Sequence, residues 1–596
     1  MKISLKKLGL LLGVGLMFSL QSCDNFLEPE IYSEYDRAEF ESSEAAFDPK
    51  LGDVYVNLQR EYGYAYREGF WSLQENTTDE CIVPTRYLGD WLDGNAFWIL
   101  HNHRFTSKVR EISANGQSGA NAWGFCYRGI SQCNSMMKWM RSIDLDKKRP
   151  ADMAELYILR AWYHYLLMDN FGNIPFTSKL AEDGYEAVQN TRAEVFDSIM
   201  TDLTQYVPQA SEQKVYSRVN KFVGWMVLSK MYLNAEAWGV VGEAKFAPSA
   251  QECYEKAAAY ADSIISKGGY ILEPNYFDNF KVDNQGSREN IWCVFYDASF
   301  SKGMQFHMMS LHYASQNSYG LKNQPWNGYC TTHKVIGLYG ENDTRIDSWE
   351  RGQQYDKSGA KIEVEVSVDS ATYVLMPPYV RKPANWPESL DAFRDENGKA
   401  NQTIKFTFPA YFTDTVTTLT NNAKFKVYNI FEGARFVKFQ IQEGVGDHMS
   451  NDFPIFRLAD AYLMKAEALM RANGDAATQD AVDAANQVRS RAGAEPYSIA
   501  TLTLDELCNE RCRELMWEGH RRQDLIRFGR FTGPNSVQND ADPANLWILK
   551  YAAGGTGYDI DPASQVPFVT PDYMKLFPLP DFYVENGNKQ NDGYAE

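Results

Sequence analysis

"ERCRELMWEGHRRQDLIRFGRF" (residues 510–531) is the stretch on which the reading of the fold turns. Arg513, Glu514, Glu518, Arg521, Arg522 and Asp524 recur at spacings of three and four, which places opposite charges next to each other on a helix. Thr503 and Glu506, just upstream, have the spacing of a capping box, so one helical run is expected from there to Gly529. Two readings of the charges compete: a catalytic carboxylate pair with basic helpers, or an ion network that packs the last helix against its neighbours. The second is favoured. Cys508 and Cys512 lie four apart on the same run without a C-x-x-C or His pair to complete a zinc set, and read as buried thiols.

Working outward, the flanking segments carry the same helical signature. "FPIFRLADAYLMKAEALMRANGD" puts Ile455, Leu458, Ala459, Tyr462, Ala466, Leu469 and Met470 on one face, and "AATQDAVDAANQVRSRAGA" follows after Gly474. Near residue 160, "MAELYILRAWYHYLLMDNFG" repeats the pattern with Leu156, Leu159, Trp162, Tyr163, Leu166 and Leu167, and Gly172 and Pro175 stop it. "TRAEVFDSIMTDL" opens with the capping box Thr191 and Glu194; two more runs follow, the second ended by Lys267-Gly268-Gly269. Paired amphipathic helices with short turns suggest a helical-repeat scaffold of the tetratricopeptide kind. Residues 285–445 differ. They are rich in Gly, Asn, Pro and aromatics, and "KIEVEVSV" and "RFVKFQI" alternate with the period of strands.

The N-terminus reads as an export signal. Lys2, Lys6 and Lys7 precede the uncharged residues 8–20, a stretch too short to span a bilayer, which takes about 20 residues. Leu20-Gln21-Ser22-Cys23 then resembles a bacterial lipobox, so residues 1–22 are expected to be a signal peptide and Cys23 the lipidated first residue of the mature chain. The eight other cysteines are irregularly spaced and do not read as a disulfide scaffold. A formal charge of −19 argues against nucleic acid as a partner, since phosphate binding needs basic patches. No G-x-S-x-G, H-E-x-x-H or Walker A motif appears. His101 and His103 lack an evident third ligand and read as loop or surface residues, and no metal or cofactor is expected.

"LRAWYHYLLMDNFGNIPF", "FPIFRLADAYLMKAEALMRANG", "ANQVRSRAG", the opening 510–531 stretch and the closing "FPLPDFYVENGNKQNDGY" together resemble the SusD/RagB family of Gram-negative outer-membrane lipoproteins. The resemblance covers most of the mature chain. It implies a mostly α fold: about four tetratricopeptide-like helix pairs forming a scaffold, with a loop-rich half containing short β-strands. The implied domain is 23–596, divided into an N-terminal helical part with an early binding loop (23–284), an irregular section (285–445) and a C-terminal helical part (446–596). The implied role is capture without catalysis. A lipoprotein anchored in the outer membrane and facing outward would bind oligosaccharides and pass them to a SusC-like TonB-dependent transporter. A peptide-capturing homologue and a lipoprotein glycoside hydrolase are the alternatives.

Two stretches carry the expected ligand contacts. Residues 70–98, "FWSLQENTTDECIVPTRYLGDWLDGNAFW", lack a period and are dense in aromatic, amide and charged side chains. Aromatics stack on the apolar C–H faces of sugars while polar groups bond the hydroxyls, the usual composition of a ligand site. The resemblance points to this loop and to a later one, here residues 312–330. The expected contacts are Asp79, Arg86, Trp91, Asn95 and Trp98 with Tyr319, Trp326 and Tyr329. Glu75, Asp79 and Glu80 also suggest a glycosidase-like carboxylate pair, but with 78 acidic residues in the chain such a grouping arises readily by chance.

Overall fold

The computed structural model describes residues 37–59, 63–65, 69–84, 96–107, 122–180, 188–370, 373, 385–414, 431–537, 548–551, 558–561 and 569–594. Within these residues the long helices pair in succession. Ala122–Ser142 packs with Pro150–Phe171, Arg192–Tyr206 with Lys221–Asn234, Ala250–Lys267 with Leu458–Ala472, and Gln479–Arg491 with Leu504–Leu515. This is the paired-helix scaffold that the periodicity suggested. None of the helices among the described residues is long and apolar enough to cross a membrane.

Local chemistry explains the helix boundaries. Thr191 and Glu194 form both bonds of the expected capping box, and Asn220 and Ser249 cap the next two helices. The Pro150–Phe171 helix starts on its proline and ends at Gly172, whose φ of +71° suits glycine. Its sequence suggested one apolar stripe, yet the helix is buried almost all round, because helices flank it on both sides. Gly129 allows the tightest of these approaches: a Cβ there would lie 2.2 Å from the Tyr163 ring.

The third helix pair is split. Between Ala250–Lys267 and its partner Leu458–Ala472 the chain builds the whole irregular half. An antiparallel strand pair, Asn290–Val294 with Phe453–Arg457, clips the base of this insertion shut. Ile455, expected on the helix face, therefore belongs to a strand, and the helix begins at Leu458. The insertion has its own small core. Glu363–Asp369 pairs with Thr403–Pro409, and Val366, Val368, Phe406 and Phe408 turn inward around Phe393 and Phe412. "KIEVEVSV" is thus a strand as read, whereas "RFVKFQI" contributes only Arg435–Phe436.

The 510–531 stretch departs from expectation in two ways. It is two helices, Leu504–Leu515 and Arg521–Arg527, broken by a turn in which Trp517 takes a φ of +57°. Its charges also pair mostly with other elements rather than along one helix. Arg457, where the strand enters its helix, contacts Glu289 at 2.7 Å, Glu514 at 2.9 Å and Glu518 at 2.6 Å. Arg345 reaches Asp343, Glu510 and Glu514 at 2.7, 2.8 and 3.0 Å, and Arg491 reaches Glu289 and Glu514 at 2.8 and 2.5 Å. Burial would raise the Glu514 carboxyl, but Arg491, Arg457 and Arg345 outweigh it and hold its pKa at about 2. A second buried set joins Asp460 to Lys230 and Arg511, and Asp524 to Arg511 and Arg527. The ion-network reading of this motif is the one the geometry bears out.

Removing one member of a buried network leaves its partners as uncompensated charges. Arg457→Met should therefore destabilise the protein by about 3–5 kcal/mol, read as a lowered denaturation midpoint. A variant that melts with the parent protein would show that the network does not hold these elements together.

Candidate binding site

The turn at Trp517 connects the scaffold to the first candidate stretch. The Trp517 ring is fully buried, stacks on Phe436 at 4.1 Å and lies edge-on to Trp71 at 5.4 Å. Its backbone N–H donates to Glu80 at 2.9 Å, its indole N–H donates to the Glu80 carbonyl at 3.2 Å, and its own carbonyl accepts from the Trp71 indole at 3.1 Å. The left-handed backbone at Trp517 lets one residue engage the short helix Phe70–Glu75 and the turn that follows it.

The two stretches chosen from the sequence meet in space. Ile82 and Cys330 form an antiparallel bridge with both backbone bonds at 2.9 Å. Beyond it, Trp326, Asn327 and Tyr329 bond through their backbone N–H groups to the carbonyls of Met308, Leu311 and Met309. Asn327 holds a φ of +56° in this turn. On the other side, Thr331 bridges to Ala434, and the His312 ring lies 5.3 Å from both Phe412 and Phe431, at the edge of the insertion's own core. The seam between the two stretches is therefore anchored to both cores.

The expected contact residues fall into three groups. Arg86, Trp91 and Asn95 lie outside the described residues, as do Cys23 and the leader, and Trp98 is on the helix Ala96–His101. Asp79 and Tyr329 belong to the framework. Asp79 makes a bidentate pair with Arg521, 2.7 Å at each oxygen; burial opposes its charge, but Arg521 outweighs burial and lowers its pKa. Tyr329 has no exposed surface and sits among Phe97, Trp71 and Trp517 at 5.5–6.1 Å. Tyr319 and Trp326 are the half-buried ones, with part of each side chain at the surface. The Tyr319 hydroxyl donates to Glu350 at 2.9 Å, and Ser315 donates to the other oxygen of that carboxylate at 3.3 Å, which fixes the ring. The sequence reading missed Glu350 in this role and Tyr313 as a further half-buried aromatic of the same segment. Tyr313 could have been found by its proximity; nothing in the sequence marks Glu350.

The glycosidase-like trio is enclosed. Glu75 and Glu80 have no exposed surface, and Asp79 is held by Arg521, so the three present no open carboxylate pair. Burial first, and then the neighbouring Glu80, push the Glu75 pKa well above its ordinary value, which favours its neutral form. His103, expected at a loop surface, is buried instead. Its ring nitrogens meet the Thr77 carbonyl at 2.7 Å and the Thr570 hydroxyl at 3.1 Å, and burial lowers its pKa to about 3. Cys508 and Cys512 are buried free thiols, as read.

Known proteins share this architecture. The SusD family model matches residues 288–594, and a second model, described as starch-binding associating with outer membrane, matches residues 26–233. The starch-binding protein SusD of Bacteroides thetaiotaomicron is 26% identical over 548 residues, covering 89% of this chain and 86% of its own. SusD-like protein P25 of Formosa agariphila is 24% identical over 533 residues, 87% of this chain and 89% of its own. Among solved structures, surface glycan-binding protein A from Bacteroides uniformis superposes with a TM-score of 0.62 at 18% identity, over 92% of this chain and 99% of that one. Surface glycan-binding protein A from Bacteroides thetaiotaomicron in complex with laminarihexaose gives 0.60 at 18% identity, with coverages of 92% and 99%.

The raised Glu75 pKa makes a pH prediction. Its pKa in the fold is raised above the unfolded value of about 4.3. The stability it contributes is therefore complete below that value and is lost as pH rises through the folded pKa. Glu75→Gln keeps the neutral form at every pH, so its melting temperature should fall less between pH 5 and pH 8 than that of the parent. Parallel curves for the two proteins would rule out a proton on Glu75.

Proposed function

The chain belongs to the SusD family, and from that premise we propose that it is a cell-surface lipoprotein that captures oligosaccharides and delivers them to a TonB-dependent outer-membrane transporter. The observation that carries the binding part is the seam at Ile82 and Cys330, where half-buried aromatics stand on a backbone anchored to two cores. A sugar ring offers an apolar face to such side chains, and pre-ordered aromatics lose little freedom on binding it. The relatives support the same reading: one is named for starch and another is solved with laminarihexaose. Tyr319 and Trp326, with Trp98 from the early stretch, are the proposed stacking residues, and Arg86, Trp91 and Asn95 the proposed polar and aromatic rim. Asp79 and Tyr329 would act by shaping the floor beneath them.

The protein binds and does not turn over its ligand in this reading. Titration calorimetry against a panel of starch- and laminarin-derived oligosaccharides should give saturable binding with no release of reducing ends. Released ends would favour the hydrolase alternative, and binding of peptide digests with indifference to every glycan would favour peptide capture. The double variant Trp98→Ala/Trp326→Ala should weaken the best glycan about tenfold or more, which is 1.4 kcal/mol or more, and leave the melting temperature unchanged. Full affinity in that variant would remove these residues from the site.

Cys23 is the proposed tether. Acyl chains on one N-terminal residue hold a protein at a membrane without a span, provided there is more than one of them. Metabolic labelling with a radioactive fatty acid should mark the parent and not Cys23→Ala; a labelled variant would place the lipid elsewhere.

A further inference from the structure

Away from the aromatic seam, the loop before the Lys221–Asn234 helix and the segment after the Ala250–Lys267 helix line a half-open cavity of about 230 Å3. Its character is unusual for a chain with a formal charge of −19: two cations, Lys214 and Arg288, line it, and none of its lining residues is acidic. Arg288 is held by Glu273 through two nitrogens, at 3.3 and 3.2 Å, which leaves one terminal nitrogen of the guanidinium, and Asp452 accepts the Tyr216 hydroxyl and the Tyr296 N–H. Lys214 donates to the Gly269 carbonyl at 2.7 Å and lies 3.9 Å from the centre of the Tyr270 ring, with no carboxylate in ion-pair range among the described residues. Tyr216, Tyr270 and Trp292 supply apolar walls.

The cavity wall is built to keep its shape. Ser217 adopts a φ of +61°, a conformation that a residue with a side chain holds only when its surroundings enforce it. Here its hydroxyl donates to the Cys293 carbonyl at 2.9 Å, and its carbonyl accepts the Trp292 indole N–H at 3.2 Å. Both bonds tie the loop to the Asn290–Val294 strand that closes the insertion. Local strain of this kind clusters at ligand clamps, and the volume is below the roughly 300–1,000 Å3 of sites for drug-sized molecules. The volume is on the scale of one ring rather than of an oligomer.

We propose that this cavity is a second binding site, specific for a single acidic sugar ring: Lys214 and the remaining terminal nitrogen of Arg288 pair with the carboxylate while the ring's apolar face lies against Tyr216, the more exposed of the two tyrosines. The proposal is independent of the aromatic seam, which lies among different residues. Glucuronate is the probe, with glucose as the same ring without the charge and inorganic sulfate as a charge without the ring. Titration calorimetry and ligand-observed saturation-transfer NMR on the full mature chain should show glucuronate binding at least tenfold tighter than either control. Lys214→Glu and Arg288→Gln should each lower glucuronate affinity about tenfold, the effect of a lost charge-assisted hydrogen bond, and leave binding of the best seam glycan unchanged. Equal binding of glucose would make the cavity a neutral sugar site, equal binding of sulfate a general anion site, and no glucuronate binding an empty cleft; each of these overturns the proposal. Glucuronate binding that survives both substitutions would place the acidic sugar elsewhere and overturn it as well.

Discussion

Arg457, Glu289, Glu514 and Glu518 leave water together, with side chains that are essentially unexposed. Taking such groups out of water costs several kcal/mol per ion, and the cost is met only when each charge finds its partners at close range. The four come from the Phe453–Arg457 strand, from the residue just before its partner strand Asn290–Val294, and from the broken helix near the C-terminus. The constraint therefore fixes the relative positions of three chain segments that are distant in sequence. Hydrophobic contact alone would tolerate small shifts among them; a buried guanidinium shared by three carboxylates does not.

The candidate site inherits its geometry from this arrangement. The network holds the Leu504–Leu515 helix, the turn after it presents Trp517, and Trp517 takes hold of Glu80 and Trp71. Two residues beyond Glu80, the bridge from Ile82 to Cys330 joins the early stretch to the later one. Asp79 adds a second tie through Arg521. The side chains at the surface are thus the last links of a chain of contacts that begins in buried charge, which is how a loop-built face acquires the rigidity of a scaffold. Glu350 serves Tyr319 in the same way on the insertion side.

Much of the scaffold could be read from the sequence because its signals are local. Capping boxes, a C-cap glycine and three-to-four spacing are properties of short windows, and Thr191, Gly172 and the 458–472 helix follow them. The break at Trp517 could not be read this way. Its left-handed backbone has a tertiary cause, the simultaneous grip on Glu80 and Trp71 more than 400 residues away. The same limit applies to the site. Residues 70–98 stand out by composition and 312–330 follow from the family resemblance, yet neither distinguishes an aspartate facing solvent from Asp79 facing Arg521, or a surface tyrosine from Tyr329 inside an aromatic cluster. His103 was misplaced for the same reason, since its partners Thr77 and Thr570 come from opposite ends of the chain.

The splitting of the third helix pair has a consequence for how such a protein can vary. The entropy lost in closing a loop grows only with the logarithm of its length, by about 0.6 kcal/mol for each doubling. By this measure, roughly 190 residues between Lys267 and Leu458 cost only about 2 kcal/mol more to close than a loop of about 20 would. The strand clip at Asn290–Val294 and Phe453–Arg457 shortens the effective loop on the scaffold side still further. The helical frame is therefore nearly indifferent to what is threaded between the two halves of that pair. Lengthening, shortening or rebuilding the insertion changes the face offered to ligands while the thermodynamics of the frame stay almost constant, so recognition and stability can diverge in sequence independently.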